Sequence, residues 1–107
     1  IWIQGEENLT IGKNAWIGAF VVIEAVNSTI TIGDNVTIAS GVHIYTHDNA
    51  YRRVDGTRRI GSVMIGSNVF IGANSVILPG ARIEDNCVIG ALSLVNSRIP
   101  ANMMAAG

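Results

Sequence analysis

Aliphatic residues recur at every sixth position over most of this chain, and that period limits the fold more than any other feature. The first block runs from Ile11 to Ile23, the second from Ile32 to Ile44, and the third from Ile65 to Val95. A period of six does not make a stripe along a helix of 3.6 residues per turn, so the pattern excludes amphipathic helices. The recurring positions are Ile11, Ile17, Ile23, Ile32, Ile38, Ile44, Ile65, Ile71, Ile77, Ile83, Ile89 and Val95.

A small or β-branched residue follows four positions after most of these aliphatics. Residues i and i+4 of a strand point to the same side, so both positions face inward. The i+3 position is often Asn, which tolerates left-handed corner conformations. Each hexapeptide therefore predicts a short strand and a corner. The i+4 residues are Ala15, Val21, Val36, Val42, Val69, Ser75, Ala81, Cys87 and Ser93, and the Asn residues are Asn14, Asn35, Asn68, Asn74 and Asn86.

Three such faces would close one coil in about 18 residues, and the aliphatics would then stack in ladders. We therefore expect an all-β parallel β-helix of about six coils in one domain, 1–107. The step from Ile23 to Ile32 places three extra residues near 26–31, and the step from Ile44 to Ile65 predicts a protruding loop near 46–62. The start at Ile1 without Met leaves open that the domain is truncated at one or both ends.

Composition excludes several function classes. A net charge of -1 gives little attraction for a polyanion, so nucleic acid is not expected as a partner. No apolar run approaches the roughly 18 residues of a membrane-spanning helix, so we expect no membrane association. Cys87 stands alone and cannot form an internal disulfide, which favours the cytoplasm.

The repeat resembles the hexapeptide-repeat acyltransferase family, particularly its maltose, galactoside and polysaccharide O-acetyltransferases. The resemblance lies in TITIGDNVTIASGVHIYTHD (29–48) and IGSNVFIGANSVILPGARIEDNCVIGALSLVNSRIP (65–100). It implies a left-handed coil, a homotrimer with active sites between neighbouring subunits, and acetyl-CoA as co-substrate without a metal. The implied reaction is acetyl transfer to a small hydroxyl-bearing acceptor such as a sugar. Aromatic residues on flat outer faces would suit such an interface, and the candidates are Trp2, Trp16, Phe20 and Phe70.

Acetyl transfer to an alcohol needs a general base, and His is the residue whose ordinary pKa suits that role near neutral pH. His43 lies within a regular hexapeptide, which favours a structural role. His47 opens the long loop and resembles the family's catalytic histidine, so we expect His47 to be the base. Asp48 either orients the imidazole or contacts the acceptor, or is simply a turn residue.

The resemblance also assigns the co-substrate site. It implies that the backbone N–H of Ala73 is a thioester or oxyanion donor and that the N–H of Ala91 binds the pantetheine amides. It places Asn96 and Arg98 beside the nucleotide, where Arg98 could reach a CoA phosphate. The arginines of the long loop could contact phosphates or an anionic acceptor, but such a cluster is also typical of a solvated surface. These are Arg52, Arg53, Arg58 and Arg59.

Alternatives remain at this point. Ala19 and Phe20 stand where sugar acetyltransferases carry an Asn, so binding of a sugar through that residue is not expected. N-acetylation of an amino sugar stays open. A zinc enzyme of the γ-carbonic anhydrase type needs three His per site, and the chain has two. A non-catalytic β-helix scaffold is the alternative from another class.

Overall fold

The computed structural model describes residues 1–48 and 59–107. In these ranges the chain forms strands of two or three residues and a single 3₁₀ turn, Glu6–Asn8. The predicted all-β fold is confirmed, and it is a left-handed parallel β-helix. No helix in the described ranges has the length and apolarity needed to cross a membrane.

Successive strands lie on three faces of a prism, which we name A, B and C. Face A contains β1 (Trp2–Gln4), β4 (Val22–Glu24), β7 (His43–Tyr45), β12 (Val76–Ile77) and β15 (Leu94–Val95). Face B contains β2 (Leu9–Ile11), β5 (Ile30–Ile32), β10 (Val63–Ile65), β13 (Arg82–Ile83) and β16 (Arg98–Ile99). Face C contains β3 (Trp16–Ile17), β6 (Thr37–Ile38), β11 (Phe70–Ile71), β14 (Val88–Ile89) and β17 (Met104–Ala105).

Each face carries five parallel strands, so the described residues form five coils. The expectation of about six coils is therefore too high. That number follows from dividing the length of the chain by the number of residues in one regular coil. The long loop and the insertion after β4 contain residues that add no strand to any of the three faces.

The core is a stack of aliphatic ladders along the prism axis. On face A, for example, Ile23 pairs with Ile44, which pairs with Ile77. The isoleucines of the inner coils are fully buried, and each buried aliphatic side chain stabilises the fold by about 1.5–3 kcal/mol. Ile11 is 37% exposed because it belongs to the first coil, where no further coil covers it.

The corners confirm the interpretation of the Asn residues. On the edge between faces B and C, Asn14, Asn35, Asn68 and Asn86 all have φ between 56° and 60°. The side-chain amides of neighbouring coils also bond to one another: Asn14 donates to Asn35 at 3.1 Å and Asn68 to Asn86 at 3.2 Å. Asn therefore stabilises this edge twice, through its backbone and through its side chain.

The long insertion leaves from the edge between faces A and B. Its base is an antiparallel pair, β8 (His47–Asp48) and β9 (Arg59–Ile60), with His47 opposite Ile60 and Asp48 opposite Arg59. This position agrees with the predicted loop at 46–62. Arg52, Arg53 and Arg58 of the predicted cluster lie outside the described residues.

Candidate active site

His47 lies at the base of the insertion, where the chain leaves face A. Its side chain is 30% exposed, and its Nδ1 atom contacts the Oε1 atom of Glu24. Within residues 1–48 and 59–107, no hydrogen bond to the Nε2 atom of His47 is formed. One ring nitrogen is thus held by a carboxylate and the other is available to a ligand.

Glu24 ends strand β4 and is 4% exposed. Its Oε2 atom accepts hydrogen bonds from the backbone N–H of Val26 at 2.6 Å and from the Thr46 hydroxyl at 2.8 Å. Burial raises the pKa of Glu24, but the hydrogen bonds from Val26, Thr46 and His47, with the charge of His47, outweigh burial. The pKa of Glu24 is therefore lower than its ordinary value, and the carboxylate is charged at neutral pH.

The sequence analysis did not single out Glu24. A signal was present, since Glu24 is the only charged residue between Lys13 and Asp34 and directly precedes the three-residue insertion. An acidic residue within such an apolar stretch needs partners when it is buried. The contact with His47 spans 23 positions of the sequence, and only the stacking of β4 against β7 brings the two together.

Asp48 follows His47 on β8 and is half-buried. Its backbone lies opposite Arg59 in the hairpin. The Nδ1 atom of His47 contacts Glu24, so the orienting contact that was considered for Asp48 is made by Glu24 at that nitrogen. A contact of Asp48 with the acceptor stays a prediction.

His43 lies on the outer side of face A, half-buried beside the site. Its Nδ1 atom is 2.7 Å from the Tyr45 hydroxyl, and the two rings meet edge to face at 5.8 Å. Burial raises the pKa of Tyr45, and the negative charge of Glu24 raises it further. The phenol therefore stays protonated and can donate to His43, which agrees with a structural role for His43.

Ala73 and Ala91 occupy equivalent corner positions on the edge between faces C and A. Neither backbone N–H donates a hydrogen bond to a group in the described part of the chain. Three of the corresponding N–H groups on the edge between faces B and C, in the first three coils, are satisfied by a side chain of the next coil. Those bonds are Lys13 N–H to Asp34 at 2.8 Å, Asp34 N–H to Ser67 at 3.0 Å and Ser67 N–H to Asp85 at 2.8 Å.

The small residues of the C–A edge keep these amides accessible. A Cβ atom at Gly72 would lie 2.4 Å from the backbone nitrogen of Ala91. Any side chain there would crowd that N–H. The edge therefore presents backbone donors with open space around them, which is what a ligand carrying carbonyl acceptors requires.

Asn96 and Arg98 lie elsewhere on the prism. Asn96 is an exposed corner residue after β15, and Arg98 is on face B, where it lies opposite Arg82 of the neighbouring strand. The Nε atoms of Arg82 and Arg98 are 3.6 Å and 3.9 Å from a Glu84 oxygen. The structure thus brings His47 together with Glu24 and aligns Ala73 with Ala91, but it places Arg98 on a different face from these two alanines.

Comparison with protein families gives two matches. The family described as bacterial transferase hexapeptide (six repeats) matches residues 62–97, and the hexapeptide repeat of succinyl-transferase matches residues 8–46. A maltose O-acetyltransferase from Clostridium difficile 630 is 38% identical over 99% of this chain, with a TM-score of 0.87. The chain belongs to the hexapeptide-repeat acyltransferase family.

Two further solved structures of similar proteins contain acetyl-CoA or coenzyme A. A hexapeptide-repeat acetyltransferase from Vibrio cholerae O1 biovar eltor, complexed with acetyl-CoA, is 30% identical over 98% of this chain, with a TM-score of 0.84. A galactoside acetyltransferase in complex with coenzyme A is 36% identical over 95% of this chain, with a TM-score of 0.72. No curated protein sequence gives a match.

The chain is shorter than these relatives. It spans 58% of the Clostridium difficile enzyme, 58% of the Vibrio cholerae enzyme and 62% of the galactoside acetyltransferase. The match to each of them covers the β-helix nearly completely, so the family and the fold are shared.

Proposed function

We propose that this protein transfers an acetyl group from acetyl-CoA to a hydroxyl group of a small acceptor, with His47 as the general base. In this mechanism the hydroxyl oxygen of the acceptor attacks the thioester carbonyl. The Nε2 atom of His47 accepts the proton of that hydroxyl at the same time. The C–S bond of the tetrahedral intermediate then breaks, and the CoA sulfur takes the proton from His47. The atoms balance without a metal or a redox partner, and general-base catalysis of this kind contributes about 10²–10⁴-fold.

The observation that carries the proposal is the contrast between two edges of the same prism. The B–C edge closes the corner N–H groups of Lys13, Asp34 and Ser67 with an Asp or Ser side chain, whereas the C–A edge leaves Ala73 and Ala91 open. An unbonded N–H is expensive to keep unless water or a ligand accepts from it. The pantetheine arm carries amide carbonyls and a thioester, which match a row of donors spaced by roughly 4.8 Å. We assign the thioester or oxyanion to Ala73 and a pantetheine amide to Ala91.

The positions of His47 and Ala73 support a site shared between subunits of a homotrimer. His47 lies beyond the A–B edge, and Ala73 lies on the C–A edge, so face A separates them within one chain. The segment from Ala73 to Leu78 alone spans roughly 17 Å when extended, at about 3.3 Å per residue. A neighbouring copy that brings its C–A edge to the A–B edge of the first would complete the site.

The outer faces offer apolar surface for such contacts. On face A, Trp2 is 54% and Leu94 54% exposed; on face C, Trp16 is 59% and Met104 78% exposed. Exposed aromatic and methionine side chains are enriched at protein interfaces. We propose one trimerising domain over 1–107, located in the cytoplasm, in keeping with the single buried thiol of Cys87. We also propose that Asn96 and Arg98 contact the nucleotide of CoA and that Asp48 contacts the acceptor.

The decisive test is the His47→Ala variant, measured by release of free CoA thiol with a panel of sugars and other alcohols. We expect kcat to fall by about 10²–10⁴-fold while the affinity for CoA is kept, because the imidazole acts on the acceptor proton. His43→Ala is the matched control, since it removes the other imidazole of the chain, which lies on face A, and it should lose far less. Wild-type turnover in His47→Ala would contradict the mechanism, and acetylation of amines alone in the panel would contradict O-transfer.

A further inference from the structure

Three donors converge on the two carboxylate oxygens of Glu24. His47 Nδ1 contacts Oε1, while the Val26 N–H and the Thr46 hydroxyl both contact Oε2. The carboxylate is 4% exposed, so these protein groups satisfy it instead of bulk water. An ionised carboxylate has no proton to give, and the hydrogen in its contact with Nδ1 must therefore come from the imidazole.

We propose that Glu24 is the positioning residue of the active site, which holds His47 as the Nδ1–H tautomer and so leaves Nε2 as the proton acceptor. The assignment rests on the function proposed above. Neutral imidazole carries a proton on one nitrogen only, so a fixed partner at one nitrogen decides the chemistry of the other. Glu24 also stabilises the imidazolium that exists between proton abstraction and proton return.

Thr46 ties this arrangement to the base of the loop. Its hydroxyl lies 2.8 Å from Glu24 Oε2 and 3.1 Å from the Glu24 carbonyl, and it accepts from the Asn27 N–H at 3.3 Å. Thr46 is fully buried and directly precedes His47. The three-residue insertion after β4 therefore has a specific use: it wraps Val26 and Asn27 around the carboxylate and the hydroxyl.

The donor count makes Glu24→Gln a sharp probe. The Val26 N–H is fixed by the backbone and can only donate, so the amide oxygen of Gln must face Val26. The amide NH₂ then faces His47 Nδ1, which must become an acceptor, and the ring proton moves to Nε2. The substitution keeps the size of the side chain. We expect it to produce the Nε2–H tautomer of His47, which cannot take the proton of the acceptor hydroxyl.

Other charged and titratable groups surround His47 in the described part of the chain. Tyr45 lies on β7, Asp48 follows on β8, and Arg59 lies opposite on β9. These three groups are unaltered in Glu24→Gln. A change in the tautomer of His47 or in kcat on this substitution therefore reports on the Glu24 carboxylate. Glu7→Gln is the matched control, because it makes the same chemical change at an exposed residue of the first coil.

The first measurement is the tautomer itself, read from the ¹⁵N shifts of the His47 ring nitrogens at pH 8 in the full-length protein. We expect the Nδ1–H form in the wild type and in Glu7→Gln, and the Nε2–H form in Glu24→Gln. In the thiol-release assay, Glu24→Gln should lose about 10²–10⁴-fold in kcat, comparable to His47→Ala, with the KM for acetyl-CoA retained.

An Nε2–H ring in the wild type would overturn the assignment without any variant, so the test survives a Glu24→Gln protein that does not fold. Wild-type kcat in a folded Glu24→Gln protein would also overturn it. Failure of the proposed function is distinct, because it appears as activity retained in His47→Ala. Loss in His47→Ala with none in Glu24→Gln would leave the base assigned and remove only the role of Glu24.

Discussion

Proline at Ala73 or Ala91 should separate the two roles assigned to the open amides. Proline removes the backbone donor and leaves the rest of the main chain in place where φ permits. Neither N–H bonds to a described protein group, so no internal hydrogen bond is lost. Pro79 already occupies the same corner position on the A–B edge, two residues after Ile77, which indicates that the corner accepts proline.

The two variants should differ in which kinetic parameter they change. Ala91→Pro removes one hydrogen bond between neutral groups, about 0.5–1.5 kcal/mol, and should raise the KM for acetyl-CoA about 2- to 13-fold with little effect on kcat. Ala73→Pro removes a donor to the developing oxyanion and should lower kcat by about 10²–10³-fold. The difference arises because the amide of Ala91 binds ground state and transition state alike, whereas that of Ala73 binds more strongly as charge develops.

The assay is initial-rate thiol release over a range of acetyl-CoA concentrations, with folding checked by circular dichroism and thermal unfolding. Ala101→Pro is the control, since Ala101 holds the equivalent corner position on the B–C edge, away from the C–A edge. Unchanged kinetics in well-folded Ala73→Pro and Ala91→Pro would refute the assignment of the C–A edge to the co-substrate. Equal changes in both would refute the division of roles.

Two further predictions concern stability. Ile38→Ala should lower the free energy of unfolding by about 2–5 kcal/mol, because it leaves a cavity in an inner coil of the core. Ile11→Ala should lower it by less than half of that, because Ile11 lies in the first coil and is 37% exposed. Equal losses in urea unfolding would contradict the stacked core. The lowered pKa of Glu24 stabilises the fold above the ordinary value of 4.5, and this contribution is lost as pH falls through the folded-state pKa. The stability difference between wild type and Glu24→Gln should therefore shrink below that pH, and a constant difference would contradict it.

The fold was predictable because one rule applies to nearly every coil. Ile38 and Ile71 pair in register on face C, as their shared place in the hexapeptide requires. Asn35 and Asn68 adopt the left-handed backbone for which Asn is suited. The left-handed coil came only from family resemblance, because the preference for right-handed crossovers points the other way. The number of coils was overestimated because length alone does not separate coil residues from loop residues.

The candidate site was less predictable because its contacts depart from the repeat. The sequence singles out His47 because it opens the insertion, but Glu24 occupies an ordinary outward position of β4. Its significance depends on the chain passing through one complete coil before Thr46 and His47 stack above it. The open amides of Ala73 and Ala91 have a similar limitation, since alanine carries no functional group and a free N–H is visible only when the neighbouring coil is known.

The regularity of the solenoid explains why a small chain can hold such a site. Each rung is fixed by its neighbours above and below, so a departure at one corner is held in place by regular coils on both sides. At the A–B edge the departure is an insertion that surrounds one carboxylate, Glu24. At the C–A edge it is the replacement of capping side chains by alanine at Ala73 and Ala91. The prism keeps these two departures on different edges, and therefore the proposed chemistry requires a second subunit to join them. A monomeric variant with both edges intact should consequently bind CoA and still fail to turn over.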